Sequence, residues 1–109
     1  MNPRELAVER SRALHAAVAA RLQAEPSLVE EARARVRRWL DDRTVARPYV
    51  EAWRALLERP QEELMAALSE SSEHMHDLRQ VSPFAGVLDP RARWRIRDEV
   101  RAEMARETR

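Results

Sequence analysis

Residues 48–68, PYVEAWRALLERPQEELMAAL, contain two consecutive amphipathic helical patterns separated by a proline. Large apolar residues recur three and four positions apart in both patterns: Tyr49, Trp53, Leu56 and Leu57, then Leu64, Met65 and Leu68. Pro60 suits the first turn of the second helix, because a backbone N–H would have no partner there. The two helices therefore offer apolar faces on which the rest of the chain can pack.

Two further helices are predicted before this segment. Asn2 and Pro3 suit the N-cap and first turn of one helix, and Pro26 ends it because the residue before a proline leaves helical geometry. Ser27 and Glu30 then form a capping-box pattern, which predicts a second helix that reaches about residue 42.

The chain after residue 68 is less regular. Serines in the stretch 69–72 compete for backbone hydrogen bonds, so the fourth helix either breaks there or continues to about Gln80. A short apolar loop, residues 82–88, contains the only glycine and the only phenylalanine. Asp89-Pro90 then starts a last helix, although the alternation of arginine with apolar residues over 91–97 would also suit a strand.

Length and composition indicate a single all-α domain over residues 1–109, a compact bundle of about five helices. It divides into a helical core, 1–80, and a loop with a C-terminal helix, 81–109, which could also protrude as an arm. Without cysteine, a disulfide framework and cysteine zinc sites are excluded. With no membrane-length apolar run and no signal-peptide pattern, we expect a cytoplasmic protein.

Residue patterns for catalysis are sparse. Histidine occurs at His15, His74 and His76, and the last two lie on nearly opposite faces of a helix, which does not suit one metal ion. One glycine cannot form a glycine-rich phosphate loop, and no serine lies in a nucleophile-elbow motif. We therefore expect no enzymatic activity, no metal and no cofactor.

Twenty arginines and no lysine first suggest nucleic-acid binding, but 19 acidic residues leave a net charge of +1. The turn around Pro60 has helix-turn-helix-like spacing, yet the helix after it presents glutamates, which phosphate repels. Better candidates for nucleic-acid contact are the arginines of the second helix and the arginine-rich start of the last one. A small DNA-binding regulator is therefore an alternative function, with these candidate residues: Arg33, Arg35, Arg37 and Arg38.

Protein binding is better supported, by the apolar loop and by the tryptophan after it. Tryptophan and arginine are the residue types enriched at binding hot spots. Phe84 has the alternative role of closing the core. The candidate partner-binding residues are Phe84, Val87, Leu88, Arg93, Trp94 and Arg97.

Residues 79–94, RQVSPFAGVLDPRARW, with WRALL at 53–57 and EEL at 62–64, resemble small bacterial antitoxins of type II toxin–antitoxin pairs. These antitoxins are found beside nucleotidyltransferase-like toxins, and the resemblance covers about residues 35–100. It implies a non-catalytic helical protein that binds and neutralises a partner toxin, and we expect it to do so by occluding the toxin's active site. A scaffold subunit of a larger complex and a homodimer also stay open, because the set of large apolar residues is small.

Overall fold

The computed structural model describes residues 2–107, in which six α-helices and no strands occur. The helices are α1 Pro3–Ala24, α2 Ser27–Asp42, α3 Arg47–Leu57, α4 Gln61–Leu68, α5 Glu73–Arg79 and α6 Pro90–Glu107. The predicted all-α class is confirmed, while residues 1, 108 and 109 of the predicted domain lie outside the described residues. Across residues 2–107, no helix combines the length and apolar character needed to cross a membrane.

The serine-rich stretch breaks the fourth predicted helix in two, which gives six helices instead of about five. α4 ends at Leu68, and Ser72 caps α5 by accepting the backbone N–H of Met75 at 3.2 Å. Hydroxyl groups here favour the cap over a continuous helix, because a side-chain oxygen replaces a missing backbone acceptor.

α1 is in contact with most of the other helices. It packs against α2, α4, α5 and α6, and its 22 residues span about 33 Å. Its alanines leave room for α6 to lie alongside, and one groove between the two helices is lined by Ala13, Ala16, Val100 and Met104. The last helix therefore packs against α1 rather than protruding as an arm.

Trp53 on α3 lies at the centre of the core and is completely buried. Its indole N–H donates to the carbonyl of Leu78 on α5 at 3.1 Å. The ring of Phe84 meets the indole edge to face, with centroids 6.0 Å apart and planes at 74°. Trp53 therefore joins α3 to α5 and to the loop that precedes α6.

The predicted N-caps of the first and last helices are confirmed. Asn2 Oδ1 accepts the N–H of Glu5 at 2.8 Å, and Asp89 Oδ1 accepts the N–H of Ala92 at 2.8 Å. Residues 91–97 are helical, so the alternative of a strand is wrong. A local cap and a proline start outweigh the alternating pattern of this segment.

The predicted capping box at the start of α2 is wrong. Ser27 is itself the first helical residue, and no side-chain cap hydrogen bond forms at this end. Instead, the N–H groups of Leu28 and Val29 bond to the carbonyls of Glu25 and Pro26, each at 3.1 Å. The turn from α1 to α2 is so short that backbone carbonyls satisfy these donors.

Replacing Phe84 with alanine should destabilise the protein by about 3–5 kcal/mol, because a buried aromatic side chain leaves a cavity against Trp53. The matched change Trp94→Ala removes an exposed aromatic ring and should alter stability by no more than about 0.5 kcal/mol. Urea unfolding followed by far-ultraviolet circular dichroism measures both values. Equal losses in the two variants would show that Phe84 does not belong to the core.

Candidate partner-binding surface

The first eight residues of α6 concentrate positive charge. Within residues 90–97 it carries Arg91, Arg93, Arg95 and Arg97, and its first acidic residue is Asp98. Arginines near a helix N-terminus face the positive end of the helix dipole, which is unfavourable. The capping carboxylate of Asp89 offsets part of this cost. Helix stability therefore gives no reason for so many arginines here.

Helical geometry divides the side chains of α6 between two faces. Val100 is buried, and Ile96 and Met104 are half-buried on the same side of the helix. Trp94 lies about 120° around the helix from Val100, and its side chain is 65% exposed. Its neighbours at helical spacing on that side are Arg91, Arg97, Asp98 and Arg101. We call the set of Arg91, Trp94, Arg97 and Arg101 the Arg–Trp face.

Six arginines of α1, α2 and α3 form ion pairs with carboxylates. The pairs are Arg4–Glu73, Arg12–Glu9, Arg21–Glu25, Arg33–Glu30, Arg47–Glu51 and Arg54–Glu58. Within residues 2–107, no carboxylate lies within 4.0 Å of any α6 arginine. Surface pairs contribute little stability. The α6 guanidinium groups are available to an external partner, as are those of the exposed Arg37 and Arg38 on α2.

The six predicted partner-binding residues differ in how exposed they are to solvent. Phe84 is 3% exposed and packs in the core, so a partner cannot reach it. Val87 and Leu88 are half-buried and pack against the same core. Only Arg93, Trp94 and Arg97 are exposed. The apolar loop therefore closes the core, and the exposed candidates all lie on α6.

Gly86 gives this loop its turn. Its φ of 90° lies in the left-handed region, where side chains are strained, and the N–H of Val87 bonds back to the Phe84 carbonyl at 3.2 Å. An added Cβ would meet nothing within 4 Å. Backbone conformation rather than space therefore favours glycine at this position.

The four candidate arginines of α2 do not form one basic stripe. Arg33 donates through Nε and Nη2 to the Leu57 carbonyl at 3.1 and 2.6 Å, and Arg35 donates to the Ala85 carbonyl at 2.7 Å. Two residues apart on a helix, they point to opposite flanks. Arg37 and Arg38 are exposed. Half of the predicted nucleic-acid surface therefore bonds to the protein's own backbone.

A buried histidine, which the sequence patterns did not single out, fixes the loop before α6. His15 Nδ1 donates to the Ser11 carbonyl at 2.9 Å, which leaves Nε2 to accept the hydroxyl of Ser82 at 2.8 Å. Ser82 Oγ in turn accepts the N–H of Phe84 at 3.1 Å. The chain of hydrogen bonds ties α1 to the loop that carries Phe84.

Burial lowers the pKa of His15 below 6.5, and the nearby charge of Arg79 also lowers it, against the opposing effect of the bond to Ser11. The neutral imidazole that results matches the tautomer needed to accept the Ser82 hydroxyl. His15 therefore acts as a structural hydrogen-bonding group at neutral pH.

Arg79 is a second residue that local sequence patterns do not reveal. The residue is 3% exposed. Its Nη1 donates to the carbonyls of Leu68 and Glu70 at 3.0 and 2.9 Å. Its Nη2 lies 2.6 Å from Nδ1 of His76, while its buried Nε has no partner among the described residues. Burial lowers the pKa of Arg79. The guanidinium holds the end of α4 against α5 where the helix is broken.

The histidines do not converge on a metal site. His76 contacts Arg79, whereas His74, two residues away, is exposed. Among residues 2–107, no group of three or more histidine, aspartate or glutamate side chains is arranged to hold a metal ion.

Lowering the pH from 7 to 5 should reduce the free energy of unfolding through His15. The unfolded histidine titrates near pH 6.5 and the folded one lower, so this contribution is complete above 6.5 and is lost as the pH falls. We expect His15→Gln to flatten the plot of unfolding free energy against pH relative to wild type. His74→Gln, at an exposed site, is the control and should keep the wild-type slope. Equal slopes in wild type and His15→Gln would contradict the assignment.

No protein-family model, curated protein or solved structure matches this chain. The resemblance to antitoxins therefore stays a prediction, and the inference of function rests on the side chains of α6.

Proposed function

We propose that this protein is a non-catalytic binding protein that docks another protein through the Arg–Trp face of α6. The observation that carries the proposal is Trp94, 65% exposed among arginines that have no carboxylate partner in residues 2–107. Burying an indole ring at an interface is strongly favourable, because its apolar area leaves water. Tryptophan and arginine are also the types that dominate binding hot spots.

The charge of this face favours an acidic partner surface. Arg91, Arg97 and Arg101 can each bind a carboxylate through two parallel N–H donors, a geometry that lysine cannot provide. A partner carboxylate would also offset the unfavourable position of Arg91 at the positive end of the helix. Association should therefore be fast at low salt and slower at high salt.

The resemblance to antitoxins supports a more specific partner. In that interpretation the acidic surface belongs to a nucleotidyltransferase-like toxin, and the Arg–Trp face covers its active site. A scaffold subunit would use the same face without suppressing any activity of its partner. Growth rescue distinguishes the two, because only an antitoxin restores growth to cells that express the toxin.

Nucleic acid is the second candidate ligand, because arginines around an exposed aromatic ring also suit phosphates and bases. The charge of the rest of α6 disfavours nucleic-acid binding. A nucleic acid carries phosphates along its whole length, so it would also meet the four acidic side chains of this helix: Asp98, Glu99, Glu103 and Glu107. A protein partner can place its carboxylates against the arginines alone. We therefore favour a protein partner.

The double variant Trp94→Ala/Arg97→Gln should weaken partner binding a hundredfold or more, since each residue has hot-spot character. The partner for the test is the product of the adjacent gene, co-expressed and co-purified, with affinity measured by calorimetry. Leu40→Ala/Arg59→Gln is the matched control, because it removes an exposed apolar side chain and an exposed arginine elsewhere. The control should bind like wild type.

Wild-type affinity in a folded Trp94→Ala/Arg97→Gln variant would exclude the Arg–Trp face as the docking surface. Loss of partner binding together with failure to rescue growth would support the antitoxin proposal. Salt-dependent binding of a short DNA duplex, lost in the same variant, would instead favour the nucleic-acid alternative.

A further inference from the structure

A groove beside the start of α6 has no role in the proposed function. It lies between α1, Trp39 of α2 and the segment 79–88, and its volume is about 390 Å³. Small-molecule sites in proteins typically measure about 300–1,000 Å³ and combine apolar walls with a few polar groups. The apolar wall here includes Leu14, Val18 and Trp39, and Leu88 lies at its α6 end.

Every ionisable group that lines this groove is a base. The three are His15, Arg79 and Arg93, and no carboxylate among residues 2–107 takes part in the lining. Burial lowers the pKa of His15, which favours its neutral form. The groove therefore carries positive charge from two guanidinium groups.

The two guanidinium groups differ in what they can offer a ligand. Arg79 is buried, and nearby Glu9 and Glu70 compensate part of its charge, yet its Nε–H has no partner. Arg93 is exposed at the rim, and its side chain makes no hydrogen bond or ion pair with the described residues. An anion can therefore bind Arg93 without displacing an existing contact.

We propose that the groove binds a small amphipathic carboxylate, with its apolar body against Leu14, Val18 and Trp39 and its carboxylate on Arg93. Apolar walls exclude a fully hydrophilic ion as the preferred ligand, and the charge of the lining excludes a cation. The proposal is independent of the docking surface, because neither Trp94 nor Arg97 lines the groove. A ligand here would touch the loop that His15 and Ser82 hold in place.

Octanoate is the probe for this site, with octan-1-ol and octylammonium as neutral and cationic analogues of equal length. Backbone amide chemical shifts of the isotope-labelled full chain report where each compound binds. We expect octanoate to shift residues 79–88 and the middle of α1 in a saturable way. Octanol should bind at least about tenfold more weakly, and octylammonium should not saturate the site.

Arg93→Gln should weaken octanoate binding about tenfold and leave the affinity for octanol unchanged. Arg95→Gln is the matched control, because it removes an exposed arginine of the same helix that does not line the groove. Absence of saturable shifts would overturn the proposal, as would octylammonium binding as tightly as octanoate. An equal loss in Arg93→Gln and Arg95→Gln would also overturn it, because the effect would then reflect net charge.

Discussion

The burial of one tryptophan is the contact on which the other elements depend. Trp53 is completely buried, and an indole N–H in such a place needs an acceptor. The carbonyl of Leu78 provides it, which fixes α5 against α3. Phe84 packs edge to face on the same ring, so the loop after α5 is held inward. These two contacts fix α5 and the loop after it against α3, and α6 then packs along α1.

Two buried polar side chains, Arg79 and His15, hydrogen-bond to the irregular segments of the chain. Breaking a helix at residues 69–72 exposes carbonyl groups that a continuous helix would have bonded, and Arg79 supplies donors to two of them. His15 does the same for the loop, since it gives Ser82 an acceptor and Ser82 gives Phe84 one. A small core with few large apolar residues therefore uses buried hydrogen bonds to fix its irregular segments.

Cap residues and prolines in the sequence predicted the ends of helices well. They did not predict contacts between residues that are distant in the sequence. Asn2, Asp89 and the prolines act within one helical turn, so their patterns identify helix ends directly. Ser27 and Glu30 matched a capping box, but the tight turn from α1 placed Ser27 inside the helix. No local pattern distinguishes Arg79 from the other arginines, because its acceptors lie nine and eleven residues away and only the fold brings them together. Of the candidate site, the exposed part on α6 was predictable from Trp94 and its arginines, whereas the burial of Phe84 depends on Trp53.

The placement of α6 explains why this helix contributes an arginine to the groove and also carries an exposed tryptophan. Val100 packs against α1, so the side chains that flank it by helical geometry are drawn towards the body of the protein, and Arg93 reaches the groove there. Trp94, next in sequence, lies about 100° further around the helix and is 65% exposed. The alternation of arginine with apolar residues over 91–97 resembles the pattern of a strand, but these residues form a helix. It puts guanidinium groups around the whole start of α6, beside the groove as well as beside the exposed ring.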